Sequence, residues 1–171
     1  DDFIAPEQSA IVIAYHGYTG SYENWVGVSN TGDVASGGDE LTTGFRTLMS
    51  AGFEREYYIH LPGDTDTDRG APYYDLLATI GDDAIFVAPN GLPDSQGTRS
   101  WGASADFDFF ADLLAELDAL GLDFDPNRVF VAGHSNGAGH GQALACAFGD
   151  VIRAVAVAAG TLLDTDCVGA A

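Results

Sequence analysis

The apolar residues of this chain come in short blocks, and the spacing inside each block says which element it forms. Ser9–Tyr15 is apolar on both alternating faces, which predicts a strand covered by a layer on each side. His16-Gly17-Tyr18-Thr19-Gly20 ends it in a glycine-punctuated turn. Residues Ser21–Gly52 carry few apolar positions among Gly, Ser, Thr and Asn, and read as a long surface excursion with one helical turn around Phe45–Met49. Glu54–Leu61 alternates, Tyr57, Ile59 and Leu61 against Tyr58 and His60, and reads as a strand that Pro62-Gly63 stops. Pro72–Ile80 predicts a short helix, Ala84–Ala88 a buried strand, and Pro89–Pro93 the turn after it. From Asp106 to Leu120 the apolar residues Phe107, Phe110, Leu113, Leu114, Leu117 and Leu120 recur at helical spacing, with Asp108, Asp112 and Glu116 outside. Asp125-Pro126-Asn127 then turns the chain into Val129–Val131, and Val151–Ala158 supplies one more apolar strand. Strands alternating with helices predict an α/β fold, a mainly parallel sheet flanked by helices in a single domain over residues 1–171.

The run before Gly133 breaks into Gly133-His134-Ser135-Asn136-Gly137, and small residues resume at once after Ser135. That sequence fits G-x-S-x-G, the elbow in which a serine sits on a strained strand-to-helix turn with its hydroxyl lifted clear of the sheet. The following helix points its N-terminal N–H groups at that hydroxyl. Alone the pattern is also met by any glycine-rich strand-to-helix turn. Its setting between a β-run and a helix rich in glycine and alanine favours the elbow. In a parallel sheet the His16-Gly17 turn lies at the same carboxyl edge, where such sheets hold their ligands.

Charge narrows the partners. The 171 residues include 26 acidic and 6 basic ones, all six arginine, for a formal net charge of -20. Nucleic acid and anionic membrane surfaces are repelled by such a chain. No apolar run is long enough to span a bilayer, and Asp1-Asp2-Phe3 is not the start of a signal peptide, which leaves a cytosolic protein or one whose leader has been removed. Asp64–Gly70 alternates carboxylates as a calcium loop does, but its glycine comes one residue late and the closing glutamate is missing, so a solvated acidic turn is the better reading. Neither a metal nor a cofactor is expected. Cys146 and Cys167 are too few for a disulfide framework, and about 16 Å of helix at ~1.5 Å per residue separates Cys146 from the upper edge, so they are expected not to be joined.

A serine hydroxyl needs a base to take its proton, an acid to orient that base, and an oxyanion hole. The hole is available if the backbone N–H of Asn136 and one from the His16-Gly17-Tyr18 turn converge beside Ser135. The base is harder to find. His16 reads as a packing or hydrogen-bonding residue, His60 as a strand histidine, and His134 as leaning away from the serine. His140 lies about 140° round the helix from Ser135 at ~3.6 residues per turn. Asp164 and Asp166 are candidate acids, although solvated loop carboxylates fit them equally.

These residues resemble a known family, the secreted esterases of the α/β-hydrolase fold that include feruloyl esterases and polyhydroxybutyrate depolymerases. The resemblance is carried by Arg55–Pro62, by Ala84–Gly91, by Ser100-Trp101 leading into Asp106-Phe107, by Asp125–Arg128, by the elbow through Cys146, and by Arg153–Val157 with Gly160. It implies an α/β-hydrolase-like sheet and hydrolysis of carboxylic esters, with Ser135 as nucleophile, Tyr18 and Asn136 as oxyanion donors, and Trp101 and His16 beside the substrate. Two departures stand out. The strand ending in His16-Gly17 precedes Arg55–Leu61, the reverse of the family order, and the chain stops at Ala171, where the family continues into the strands bearing the acid and the histidine. The leading expectation is therefore a serine esterase lacking its C-terminal strands, acting on a feruloyl-polysaccharide or polyhydroxyalkanoate-type ester. Its rival is a non-catalytic binding protein of the same fold that keeps the serine and lacks a complete triad, with a lipase or peptidase behind it.

Overall fold

The computed structural model describes residues 8–27, 43–64, 72, 74–80, 83–102 and 104–160. The acidic loop from 65 to 70, Asp164, Asp166 and Cys167 lie outside them. In chain order the elements are β1 (Ser9–Tyr15), α1 (Glu23–Val26), β2 (Gly44–Ser50), β3 (Phe53–His60), α2 (Leu77–Ile80) and β4 (Ala84–Pro89). A small ribbon of β5 (Leu92–Pro93) and β6 (Arg99–Ser100) follows, then α3 (Ser104–Ala119), β7 (Phe124–His134), α4 (Asn136–Ala147) and β8 (Ile152–Ala158).

Six strands form one sheet in the order β2-β3-β4-β1-β7-β8. β4, β1, β7 and β8 run parallel, with Ile11 opposite both Ile85 and Val129. β2 and β3 join antiparallel on one flank. The α/β-hydrolase-like class expected from sequence thus holds, as a mixed sheet whose site-bearing strands are parallel. β1 comes first in the chain yet lies in the middle of the sheet, and β8 is its far edge.

β1 is buried on both faces, and its alternate residues enter two different cores. Ile11, Ile13 and Tyr15 face Phe109, Phe110, Leu113 and Leu117 of α3 and Leu144 of α4. Ala14 faces Tyr22, Trp25 and Val26 of the α1 region with Leu77 of α2. At about 25 cal/mol per Å² of apolar surface removed from water, residues buried this fully are the main source of stability.

Three local expectations are corrected. Phe45–Met49 is part of strand β2, not a helical turn. Five residues cannot distinguish the two periods, and the deciding signal is the turn: Ala51 and Gly52 both take positive φ (49° and 83°), the two-residue geometry that matches strand twist. Asp125-Pro126-Asn127 lies within β7, where the pairing jumps from Ser9–Phe124 to Ile11–Val129. The turn persists as an irregularity, with the Asn127 N–H donating to Asp125 Oδ1 at 2.8 Å. Cys146, finally, is disulfide-bonded, against the expectation that the two cysteines stay apart.

Candidate active site

β7 ends at His134 and α4 starts at Asn136, so Ser135 alone makes the turn between them. Its φ of 53° and ψ of -115° are a conformation that an ordinary residue holds only when its surroundings impose it. The surroundings are glycines. A Cβ on Gly133 would run into the Gly137 carbonyl, one on Gly137 into the carbonyls of Tyr15 and His16, and one on Gly160 into Ala138. The Ser135 N–H donates to the Ala158 carbonyl at 2.9 Å, tying the elbow to the end of β8. Asn136 is the first residue of α4, and its N–H has no carbonyl one turn earlier to bind.

The loop after β1 lies against this elbow. A Cβ on Gly17 would stand 3.3 Å from Ser135 Cβ and 3.3 Å from His134 Nδ1. Gly17–Gly20 is a turn closed by the Gly20 N–H to the Gly17 carbonyl at 3.0 Å, and Thr19 within it has φ 65°. A β-branched residue in the left-handed region is an outlier, so this loop too is held under strain. Together the two loops enclose a cleft of about 250 Å³ whose walls include Gly17, Tyr18, Asn24, Tyr74, His134 and Ser135. Tyr18 is 61% exposed at its rim.

Trp101 and His16 occupy a different layer. Trp101 is 5% exposed and stacks on His140, with ring centroids 5.3 Å apart and planes 9° apart. His16 is 0% exposed; its Nδ1–H donates to the Gly17 carbonyl at 2.7 Å and its Nε2 accepts the Gly91 N–H at 2.9 Å. Both ring nitrogens are thereby committed, and burial pushes its pKa down to about 4. Neither residue lines the cleft, because the indole and the imidazole are packed into the core beneath it.

His140 is buried as well, and desolvation lowers its pKa to about 4, with Asp106 opposing that shift and Arg55 adding to it. His134 does not lean away: its ring packs on Tyr74 at 4.7 Å and lines the cleft. Tyr74 and Asn24 are wall residues that sequence reasoning missed. They meet because the Tyr74 N–H donates to the Asn24 carbonyl at 2.9 Å, docking two segments far apart in sequence. Also missed was the ion pair between Arg55 and Asp106, 2.6 Å apart in the core. Arg55 stands between Glu54 and Glu56, and Asp106 is followed by Asp108 and Asp112, so no lone charge in an apolar run marked the pair.

No family model matches the chain. It is 38% identical over 107 residues to feruloyl esterase D of Neurospora crassa, an alignment covering 61% of this chain and 35% of that protein. Over 97 residues it is 39% identical to feruloyl esterase C of Emericella nidulans, covering 56% and 34%. Among solved structures, a ferulic acid esterase superposes with a TM-score of 0.47 at 16% identity, over 67% of this chain and 58% of that one. The chain thus spans about a third of the length of these curated relatives. Over the part that aligns, the resemblance read from the sequence stands, and it is to feruloyl esterases.

Proposed function

We propose that the chain carries the nucleophile and the oxyanion donors of a serine carboxylic ester hydrolase of feruloyl-esterase type. One observation carries the reading: Ser135 stands at positive φ between β7 and α4, in a cleft shared with the turn that holds Tyr18. In the reaction the Ser135 hydroxyl adds to the ester carbonyl, and negative charge develops on its oxygen. The N–H groups of Asn136 and Tyr18, with the N-terminus of α4 behind the first, stabilise that charge. Collapse of the adduct expels the alcohol and leaves an acyl-serine that water hydrolyses. The Ser135 proton must pass to a base, and neither His16, with both nitrogens bonded, nor buried His140 is disposed to take it.

Names of the aligned relatives favour a feruloyl ester over a hydroxyalkanoate one; that a polysaccharide bears the acyl group is part of the proposal. The disulfide at Cys146 fits an oxidising compartment and hence a secreted protein. The net charge of -20 disfavours nucleic acid and anionic membranes as partners. The rival reading, a binding protein without turnover, draws on the burial of those two histidines.

Exposure to a fluorophosphonate probe with intact-mass detection separates the two. A single adduct that disappears in Ser135→Ala supports the hydrolase. A protein that stays unlabelled while binding methyl ferulate supports the binder.

A further inference from the structure

Segment 99–101 lies between the two strained loops and is bonded to both. The Thr19 N–H donates to the Arg99 carbonyl at 3.0 Å. Two residues on, the Trp101 indole N–H donates to the His16 carbonyl at 3.0 Å. On the other side, Asn136 Oδ1 accepts the Trp101 backbone N–H at 2.7 Å, and Asn136 Nδ2 donates to the Trp101 carbonyl at 3.0 Å. A side-chain amide carries the same donor and acceptor as a peptide, so Asn136 pairs with Trp101 as a neighbouring strand would.

The segment is itself well seated. Its indole meets Tyr15 edge-on, at 4.8 Å and 87°, besides stacking on His140. A Cβ on Gly91 would stand 2.5 Å from the Ser100 carbonyl oxygen, so the chain at Gly91 and Ser100 is pressed together.

We propose that Asn136 and Trp101 are positioning residues, whose amide–peptide pair and indole bond hold the Ser135 elbow and the Gly17-Tyr18 turn at one fixed spacing. This rests on the reading of Ser135 as nucleophile. The physical need is plain: the two N–H donors come from different strands, each beside a residue at positive φ, 53° at Ser135 and 65° at Thr19. Both must reach the same oxygen, and donors displaced by a fraction of an ångström lose most of their effect. Trp101 connects them without touching the substrate itself.

The test compares the unmodified chain with Asn136→Ala, Asn136→Asp and Trp101→Phe. Asn136→Asp keeps an acceptor for the Trp101 N–H and loses the donor to its carbonyl. The first readout is hydrogen exchange at the Trp101 indole, a bond that Asn136 does not make. Asn136→Ala should speed it about tenfold or more if the two loops are held as one unit. Unchanged indole exchange overturns the proposal whatever happens to activity. The second readout is turnover of methyl ferulate, where kcat should fall about 10- to 100-fold in Asn136→Ala and Trp101→Phe with KM within about twofold. Asn136→Asp should fall between the unmodified chain and Asn136→Ala in exchange rate. Faster exchange with unchanged kcat also overturns it. If the unmodified chain neither turns over nor takes the fluorophosphonate, the hydrolase reading fails, and the indole exchange alone decides whether the two loops are joined as described.

Discussion

Arg55 Nη2 and Asp106 Oδ1 stand 2.6 Å apart with their side chains 1% and 2% exposed, an ion pair sealed between β3 and the first turn of α3. The second Asp106 oxygen accepts the Gly102 N–H at 2.8 Å, and the Arg55 guanidinium lies 4.9 Å from the centre of the Phe109 ring. Removing either partner leaves an uncompensated charge in the core. Asp106→Ala and Arg55→Ala should each cost about 3–5 kcal/mol in urea denaturation, and an Arg55→Met/Asp106→Leu double variant much less than their sum. Additive losses would show that the pair is not coupled.

Acid should destabilise the fold through its two buried histidines. His16 and His140 both have pKa values lowered by burial to about 4, from 6.5. The unfolded chain takes up protons near 6.5 while the native chain refuses them, so stability is fully present above that pH and is lost as pH falls toward 4. Each histidine contributes up to about 3 kcal/mol to that slope. Chemical denaturation at pH 7, 6, 5 and 4 should show it, and His140→Phe should flatten the curve. A variant with the unaltered slope would exclude His140 as a source.

The strain at Ser135 has a sign that stability measurements can read. Glycine accepts a φ of 53° without penalty, so Ser135→Gly should raise stability by about 1 kcal/mol. Gly137→Ala should do the opposite, losing about 3 kcal/mol or more, since its Cβ would enter the backbone of Tyr15 and His16. A tolerated Gly137→Ala would mean that α4 can move away from β1.

Activity of this chain should be weak. Among the described residues buried His16 and His140 are not disposed to act as base, and loss of the base in a serine hydrolase lowers the rate on the order of a million-fold. Methyl ferulate offered to the chain should therefore be turned over slowly, and Ser135→Ala should lower even that residual rate. If turnover is brisk and Ser135→Ala abolishes it, His134 is the first residue to replace, because it is the histidine in the cleft wall. Loss of turnover in His134→Ala would then identify it as the base.

The elbow was legible because its chemistry is local. Gly133 and Gly137 report a turn that admits no Cβ, whatever the rest of the chain does. β1, β4, α3 and β8 were legible because their apolar periods are long enough to count. Residues whose roles depend on distant partners were not. Trp101 and His16 bear side chains common in binding sites, and nothing in the linear pattern says that one bonds the carbonyl of the other beneath the cleft. Tyr74 reaches the wall through distant partners, Asn24 about fifty positions earlier and His134 sixty later. The β2–β3 hairpin went unread because its central signal is the backbone φ of Ala51, a residue with no strong turn preference of its own.

The place of β1 bears on how the chain comes to be folded. It leaves the ribosome before both of its neighbours, β4 and β7, whose pairing residues Ile85 and Val129 are made much later. Until both are present, Ser9–Tyr15 is an apolar ribbon with two open edges. Pairings this remote in sequence form slowly. Synthesis that pauses before residue 134 should therefore leave a nascent chain held by chaperones, with the elbow and the turn at Gly17 brought together only in the final stage.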